Sequence, residues 1–186
     1  MNVNEMQLAY VRAIQERGLL IETTWRCLLA CPLCRRTRKP EEIKIHKKLY
    51  GDLKLVDYKK LLDSFDFIKF CGNISDPIYH PEFHEILRIG KEYNARFEIH
   101  TNGWGRKESW WKKAYELCDS KKLSWIFGLD GLPHQSHIYR VNQKGEEVFE
   151  MMKLGASLGQ QITWQWIPFK YNEDYIAEGV RLATKH

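Results

Sequence analysis

Apolar positions along the chain come in short bursts of two alternating kinds. Leu19-Leu20-Ile21-Glu22-Thr23-Thr24-Trp25 is short and β-prone and runs straight to Cys27. Residues 65–71, 97–101, 123–127 and 162–167 share that character, and several are closed by Gly, Asn or Asp turn signals. Between them the spacing becomes helical over 55–62, over Phe83, Ile86, Leu87 and Ile89 behind Pro81, over 109–118, over 146–158 with Gly159 as its stop, and over 174–184. Leu8, Val11 and Ile14 fall near one helical face, so residues 4–17 predict a helix that ends at Gly18. Residues 35–52 show no clear period and are expected to form a loop.

Strands that alternate with helices predict parallel β/α units, wound right-handed into an α/β fold. The expectation is a partial (β/α) barrel with its helices outside, one domain over 18–186 preceded by the helix of 1–17. Working residues in such folds gather at the carboxyl ends of the strands. Here those ends read as the Cys27 loop, Gly72-Asn73-Ile74-Ser75-Asp76, Thr101-Asn102-Gly103, Asp130-Gly131 and Pro168-Phe169. Each end carries small or polar residues.

Composition narrows the class. The 186 residues are 44% hydrophobic, which suits one globular domain with a core. No apolar run reaches the roughly 18 residues of a membrane span, and the first residues lack a signal core, so a cytoplasmic protein without a membrane partner is expected. The net charge of +5 is concentrated in Arg35, Arg36, Arg38, Lys39, Lys44, Lys47 and Lys48. Glu41 and Glu42 interrupt this run and no nucleic-acid motif accompanies it, so a solvated segment is favoured over a nucleic-acid surface.

The candidate chemistry lies in the cysteines. Cys27, Cys31 and Cys34 form Cys-x3-Cys-x2-Cys, three of the chain's five cysteines. Crowded thiols in a cytosolic chain are metal ligands more often than disulfides. Cys71 and Cys118, in apolar surroundings, read as small buried hydrophobes. Three thiolates leave a site one ligand short. Either the vacancy serves chemistry, as in a [4Fe–4S] cluster with one iron free, or His46, His80, His84 or His100 closes a Cys3His zinc site. The second case would be a zinc-stabilised binding module, with 35–48 as its basic surface for nucleic acid.

With this loop directly after a first strand, the chain resembles the radical S-adenosylmethionine enzymes over nearly its whole length. It is similar to their peptide-maturing and molybdenum-cofactor-synthesis group, without the cysteine-rich C-terminal extension. The resemblance implies that Cys27, Cys31 and Cys34 hold a [4Fe–4S] cluster whose free iron takes the amino and carboxylate groups of S-adenosylmethionine. Leu33 stands where the family often has an aromatic beside the adenine. Gly72 and Asn73, with Asp76 for the family's acidic residue, match the segment that receives the methionine ammonium. Thr101 and Asn102 would line the ribose, and Asp130 matches Ser-x-Asp-Gly, with Gly128 in place of the serine. Arg140 would pair with the cofactor carboxylate, and 164–169, including Pro168, would wall the adenine.

The implied activity is that of an oxidoreductase-type radical enzyme. S-adenosylmethionine is reductively cleaved to a 5′-deoxyadenosyl radical, which takes a hydrogen atom from a peptide or small metabolite. The implied partner is an electron donor such as a flavodoxin or ferredoxin. Against the family's barrel a sixth strand is missing or truncated, and the N-terminal helix or a second copy, hence a homo-oligomer, would cover the open edge. A member that keeps the cluster without chemistry is the remaining reading.

Overall fold

The computed structural model describes residues 17–185, so the helix expected over 4–17 lies, Arg17 excepted, outside the described residues. The strands are β1 (Gly18–Ile21), β2 (Phe67–Cys71), β3 (Arg96–Thr101), β4 (Leu123–Gly128) and β5 (Gln161–Gln165). They form one sheet in chain order, every neighbouring pair parallel. The helices are α1 (Arg35–Arg38), α2 (Pro40–Tyr50), α3 (Leu55–Ser64), α4 (Phe83–Glu92), α5 (Glu108–Glu116), α6 (Gly145–Ser157) and α7 (Ile176–Thr184). Among the described residues this is an α/β partial barrel, open between its outer strands β1 and β5.

Strand periodicity splits the sheet into two chemically different faces. Ile68 and Phe70, Phe97 and Ile99, and Trp125 and Phe127 are buried on the helix side. Phe83, Ile86 and Leu87 of α4, Trp111 and Tyr115 of α5, and Val148 and Met152 of α6 complete that core. Gly90 is part of this fit, because a Cβ there would strike the Phe97 ring. The alternate positions Lys69, Glu98, His100, Ser124 and Thr163 lie on the other, concave face, and none of them is fully buried.

Two elements depart from expectation. Residues 35–50 are not loop but the helices α1 and α2. Among the described side chains of α2, Ile43 alone is buried, so no apolar stripe betrayed the helix. Its signals are at its ends: Pro40 in the first turn, Glu41 and Glu42 near the N-terminus, Lys47 and Lys48 near the C-terminus, and Gly51 at φ 62° beyond. The first strand stops at Ile21 rather than Trp25. Glu22 has already turned away, drawn to the segment that follows β2.

Candidate functional site

The carboxyl ends of all five strands open on one cleft of about 680 Å³, within the range of small-molecule sites. Cys27, Cys31, Cys34, Leu33, Gly72 and Asn73 line it, as do Asp76, Thr101, Asn102 and Arg140. Asp130 stands just behind, bound to Arg140, while Pro168 is exposed and not among the lining residues.

The cysteine loop is fixed along its length. Arg36 donates to the carbonyls of Trp25 (2.6 Å) and Cys27 (3.4 Å). Ala30 N donates to Val141 O at 3.1 Å, and Asn142 Nδ2 to Leu28 O at 3.3 Å. Asp76 N donates to Arg26 O at 2.9 Å. All three thiols are free. Burial, reinforced by the charge of Asp76, pushes Cys27 up to about 12. Burial also raises Cys31, with Arg140 opposing it. Asn102 Nδ2 lies 3.6 Å from Cys27 Sγ, and Cys34 Sγ lies 3.9 Å from Asn73 O.

Among the described residues no three His, Cys, Asp or Glu side chains converge on a point where one metal ion would sit, the cysteines included. Zn–S bonds of about 2.3 Å would demand such convergence. The candidate fourth ligands are engaged elsewhere. His80 Nε2 is 2.8 Å from Leu53 O, His84 Nε2 is 3.1 Å from Trp110 O, His100 Nε2 is 2.6 Å from Glu98 Oε1, and His46 stacks on Trp25. The geometry therefore disfavours the Cys3His zinc site. A cubane cluster binds each thiolate to a different iron, so its cysteines need not meet at a single point, and all three line the same cleft.

The loop after β2 explains its glycine. A Cβ on Gly72 would sit 2.5 Å from the Ser75 carbonyl carbon, so the turn closes only on a bare backbone. Glu22 accepts from Asn73 N (2.9 Å), Ile74 N (3.3 Å) and Ser75 Oγ (2.6 Å). With those N–H groups consumed, the segment's carbonyls are what it has left to offer, which suits a cation.

Asp76 is buried, and both its oxygens are taken. One accepts from Thr101 Oγ1 (2.8 Å) and Ile78 N (3.2 Å), the other from Asn102 N (2.6 Å) and Asn102 Nδ2. Burial nonetheless pushes its carboxyl up to about 6. Its place is that of a staple between the β2 and β3 ends.

At the fourth strand, Asp130 accepts from Arg140 Nε and from Ile167 N, each at 2.8 Å. Burial raises its carboxyl, and Arg140 pulls the other way. Gly128 now has a reason: a Cβ there would lie 2.6 Å from Arg140 Cζ, so the guanidinium rests against bare backbone. Its terminal nitrogens make no hydrogen bond among the described residues, and its charge reaches Cys31.

The fifth strand is reversed relative to the expected aromatic wall. Trp164 packs on Phe149 of α6 and Trp166 on Gly179 of α7, so both face helices. Gln165, Ile167 and Tyr139 face the cleft instead. Cys71 also lines it, half-buried, where a buried hydrophobe was expected. Cys118 is half-buried too, its Sγ donating to Ala114 O at 3.0 Å.

Sequence reasoning missed Glu22, Arg36, Tyr139 and Gln143. None stood out locally: Glu22 lay inside the stretch expected to continue as strand to Trp25. Gln143, buried, donates to Asn102 O (2.6 Å) and Gly128 O (3.0 Å), joining the ends of β3 and β4.

An open half barrel of parallel strands, with its thiol loop at the carboxyl end of the first, is a fold shared with proteins solved with S-adenosylmethionine bound. Streptococcus suis SuiB bound to S-adenosylmethionine superposes with a TM-score of 0.63 at 16% identity, over 96% of this chain and 41% of that one. For anSMEcpe with bound AdoMet the values are 0.63 and 18%, over 90% and 46%. BtrN in complex with AdoMet and 2-DOIA gives 0.56 and 18%, over 81% and 56%. At these identities the likeness defines the fold, and the chain spans less than two thirds of each structure. No protein-family model and no curated protein matches the chain. Among the described residues no helix is long and apolar enough to cross a membrane.

Proposed function

We propose that the chain is a radical S-adenosylmethionine enzyme in which Cys27, Cys31 and Cys34 ligate a [4Fe–4S] cluster. The observation that carries this reading is the meeting of three free thiols, an Arg140 guanidinium with open donors and the Gly72–Asp76 turn in one strand-end cleft. When bound, such a cluster would supply the one electron that cleaves the sulfonium cofactor to methionine and a 5′-deoxyadenosyl radical, which would take a hydrogen atom from a substrate and leave as 5′-deoxyadenosine.

The chain's own residues supply placement. Arg140, locked to Asp130, offers its terminal N–H groups to the cofactor carboxylate. The turn from Gly72 offers carbonyls to the ammonium, since Glu22 holds its amides. Asn102 donates toward Cys27 Sγ, and the Arg36 charge lowers the proton affinity of the same thiol. Ligation has to displace protons that burial holds on Cys27 and Cys31, so loading should be favoured by alkaline conditions. Leu33, Tyr139 and Ile167 supply apolar surface for the adenine. Asp76 and Thr101 act one layer back, holding Asn102. The substrate is a peptide or small metabolite, and the reading is completed by a cytoplasmic setting and a flavodoxin or ferredoxin as reductant.

The test is anaerobic reconstitution with iron and sulfide, followed by S-adenosylmethionine and dithionite. A brown protein with about four iron and four sulfide per chain that releases 5′-deoxyadenosine is expected. Cys31→Ala should lose both cluster and cleavage. Zinc without visible absorbance, or full cleavage by Cys31→Ala, would overturn the reading.

A further inference from the structure

Below the cysteine loop, the concave face of the sheet carries a group of charged side chains that no feature described so far requires. Lys69 on β2 and Glu98 on β3 are register partners, and Lys69 Nζ lies 2.6 Å from Glu98 Oε1. His100 Nε2 lies 2.6 Å from the same oxygen. Cys71, the partner of His100, completes the upper row. Lys69 and His100 line the cleft. The lower row stands two residues, about 7 Å, beneath the strand ends.

Three open positions remain. Glu98 Oε2 and His100 Nδ1 have no hydrogen bond among the described residues, and Lys69 has two unused N–H groups. With Nε2–H given to Glu98, Nδ1 of a neutral His100 is an acceptor. Further along the two rows, Ser124 and Thr163 extend the face with uncharged hydroxyls. Burial pushes Glu98 up, but the hydrogen bonds from Lys69 and His100 outweigh it and leave the carboxyl below its ordinary value. The acid is therefore ionised at neutral pH.

Ligand charge follows from the pair itself. Lys69 and Glu98 are 34% and 27% exposed, so each is partly desolvated and relies on the other. A ligand of one sign would draw off one partner and strand the other, which is costly where water is scarce. A molecule that carries both signs satisfies the two at once. We infer that this floor receives the zwitterionic head of a free amino-acid substrate, its carboxylate on Lys69 and its ammonium on Glu98 Oε2 and His100 Nδ1. The inference deepens the proposed function, since it takes the cleft as the seat of reaction, and it narrows the substrate from peptide or metabolite to a free amino acid.

The test uses the full chain with 15N-labelled histidine side chains. Free amino acids are titrated one at a time while the His100 ring signals are followed. The amino acid with the largest shift is compared with its N-acetyl and amide forms. A saturable His100 shift is expected, with each blocked form about tenfold weaker or more, as loss of a hydrogen bond to a charged group implies. Lys69→Met and Glu98→Gln should each weaken binding about as much, while S-adenosylmethionine binding stays within about twofold. The inference is overturned if no free amino acid moves His100, if blocked forms bind equally, or if S-adenosylmethionine displaces the probe competitively. That last outcome would assign the floor to the cofactor's own amino-acid head. Iron content and 5′-deoxyadenosine are read separately, so their failure with amino-acid binding intact sinks the cofactor reading and leaves this one standing.

Discussion

Gly128→Ala tests the fit between β4 and Arg140 most directly. The new Cβ would lie 2.6 Å from Arg140 Cζ and 2.9 Å from Nη1, well inside contact distance. A long side chain can swing aside, but this one is tied by Nε to Asp130, whose side chain is fully buried. Displacement therefore weakens a hydrogen bond to a buried carboxylate, worth about 1.5–3 kcal/mol. Against this, Gly→Ala in permissive backbone stabilises by about 0.4–1 kcal/mol through the unfolded chain, and Gly128 has no positive φ. The net expectation is a loss of about 1–2 kcal/mol. In an Arg140→Ala background there is no guanidinium to strike, so the same change should be neutral or slightly stabilising. Arg140→Ala alone should cost about 3 kcal/mol by leaving Asp130 unpaired, which a domain of ordinary stability survives. Urea unfolding of the four proteins followed by circular dichroism gives the coupling, expected at about 1.5–3 kcal/mol. Equal effects of Gly128→Ala in both backgrounds would refute the contact.

Gly72→Ala should break the turn onto Ser75, destabilise by about 2 kcal/mol or more through backbone overlap, and abolish S-adenosylmethionine binding in calorimetry; normal binding would contradict the role given to the turn. Gln143→Leu removes the donor shared by Asn102 O and Gly128 O, and a loss of about 2 kcal/mol in urea unfolding is expected. His80 is held below the ordinary histidine value, chiefly by burial, with its bond to Leu53 O opposing. Its Nδ1 accepts from Glu82 N, a bond that protonation forfeits. The unfolded chain takes its proton first, so stability is full above about 6.5, the unperturbed value, and is lost as pH falls from there toward the folded value. Urea midpoints against pH should show that step, and His80→Gln should flatten it; an unchanged slope would argue against the assignment.

The alternation of strands and helices was legible because the convex face is so apolar. Ile68, Phe70, Phe97, Ile99, Trp125 and Phe127 mark their strands by burial alone. The strand ends pointed to Gly72, Asp76 and Asn102 and the spacing pointed to the cysteines, and the fold brings both sets to one cleft. Three things stayed hidden for separate physical reasons. Among its described side chains helix α2 buries Ile43 alone, so period-based reading had little to count and its caps and end charges carried the signal. The facing of β5 depends on which side of the pleat the helices cover, which the apolar positions Ile162, Trp164 and Trp166 do not reveal on their own. Arg36 and Gln143 act through main-chain carbonyls brought close by folding, and nothing local in their neighbourhoods encodes that. Asp76, placed by resemblance in the segment that receives the methionine ammonium, lines the cleft with four donors from 78, 101 and 102 on its oxygens, a saturation the sequence does not show.

The residues around the cleft make a regular pattern once the strand ends are considered in pairs. Glu22 joins the end of β1 to the loop after β2. Asp76 joins that loop to the end of β3. Gln143 joins the ends of β3 and β4, and Asp130 joins β4 to the segment after β5. Main-chain pairing stops where the strands stop, yet the cleft begins there. One polar side chain at each junction carries the connection past the last ladder bond, with each hydrogen bond to a charged group worth about 1.5–3 kcal/mol. An open sheet lacks the closure that would otherwise hold its strand ends in place. Side-chain staples supply that rigidity locally, around the three thiols, the Arg140 guanidinium and the Gly72 turn that line the cleft.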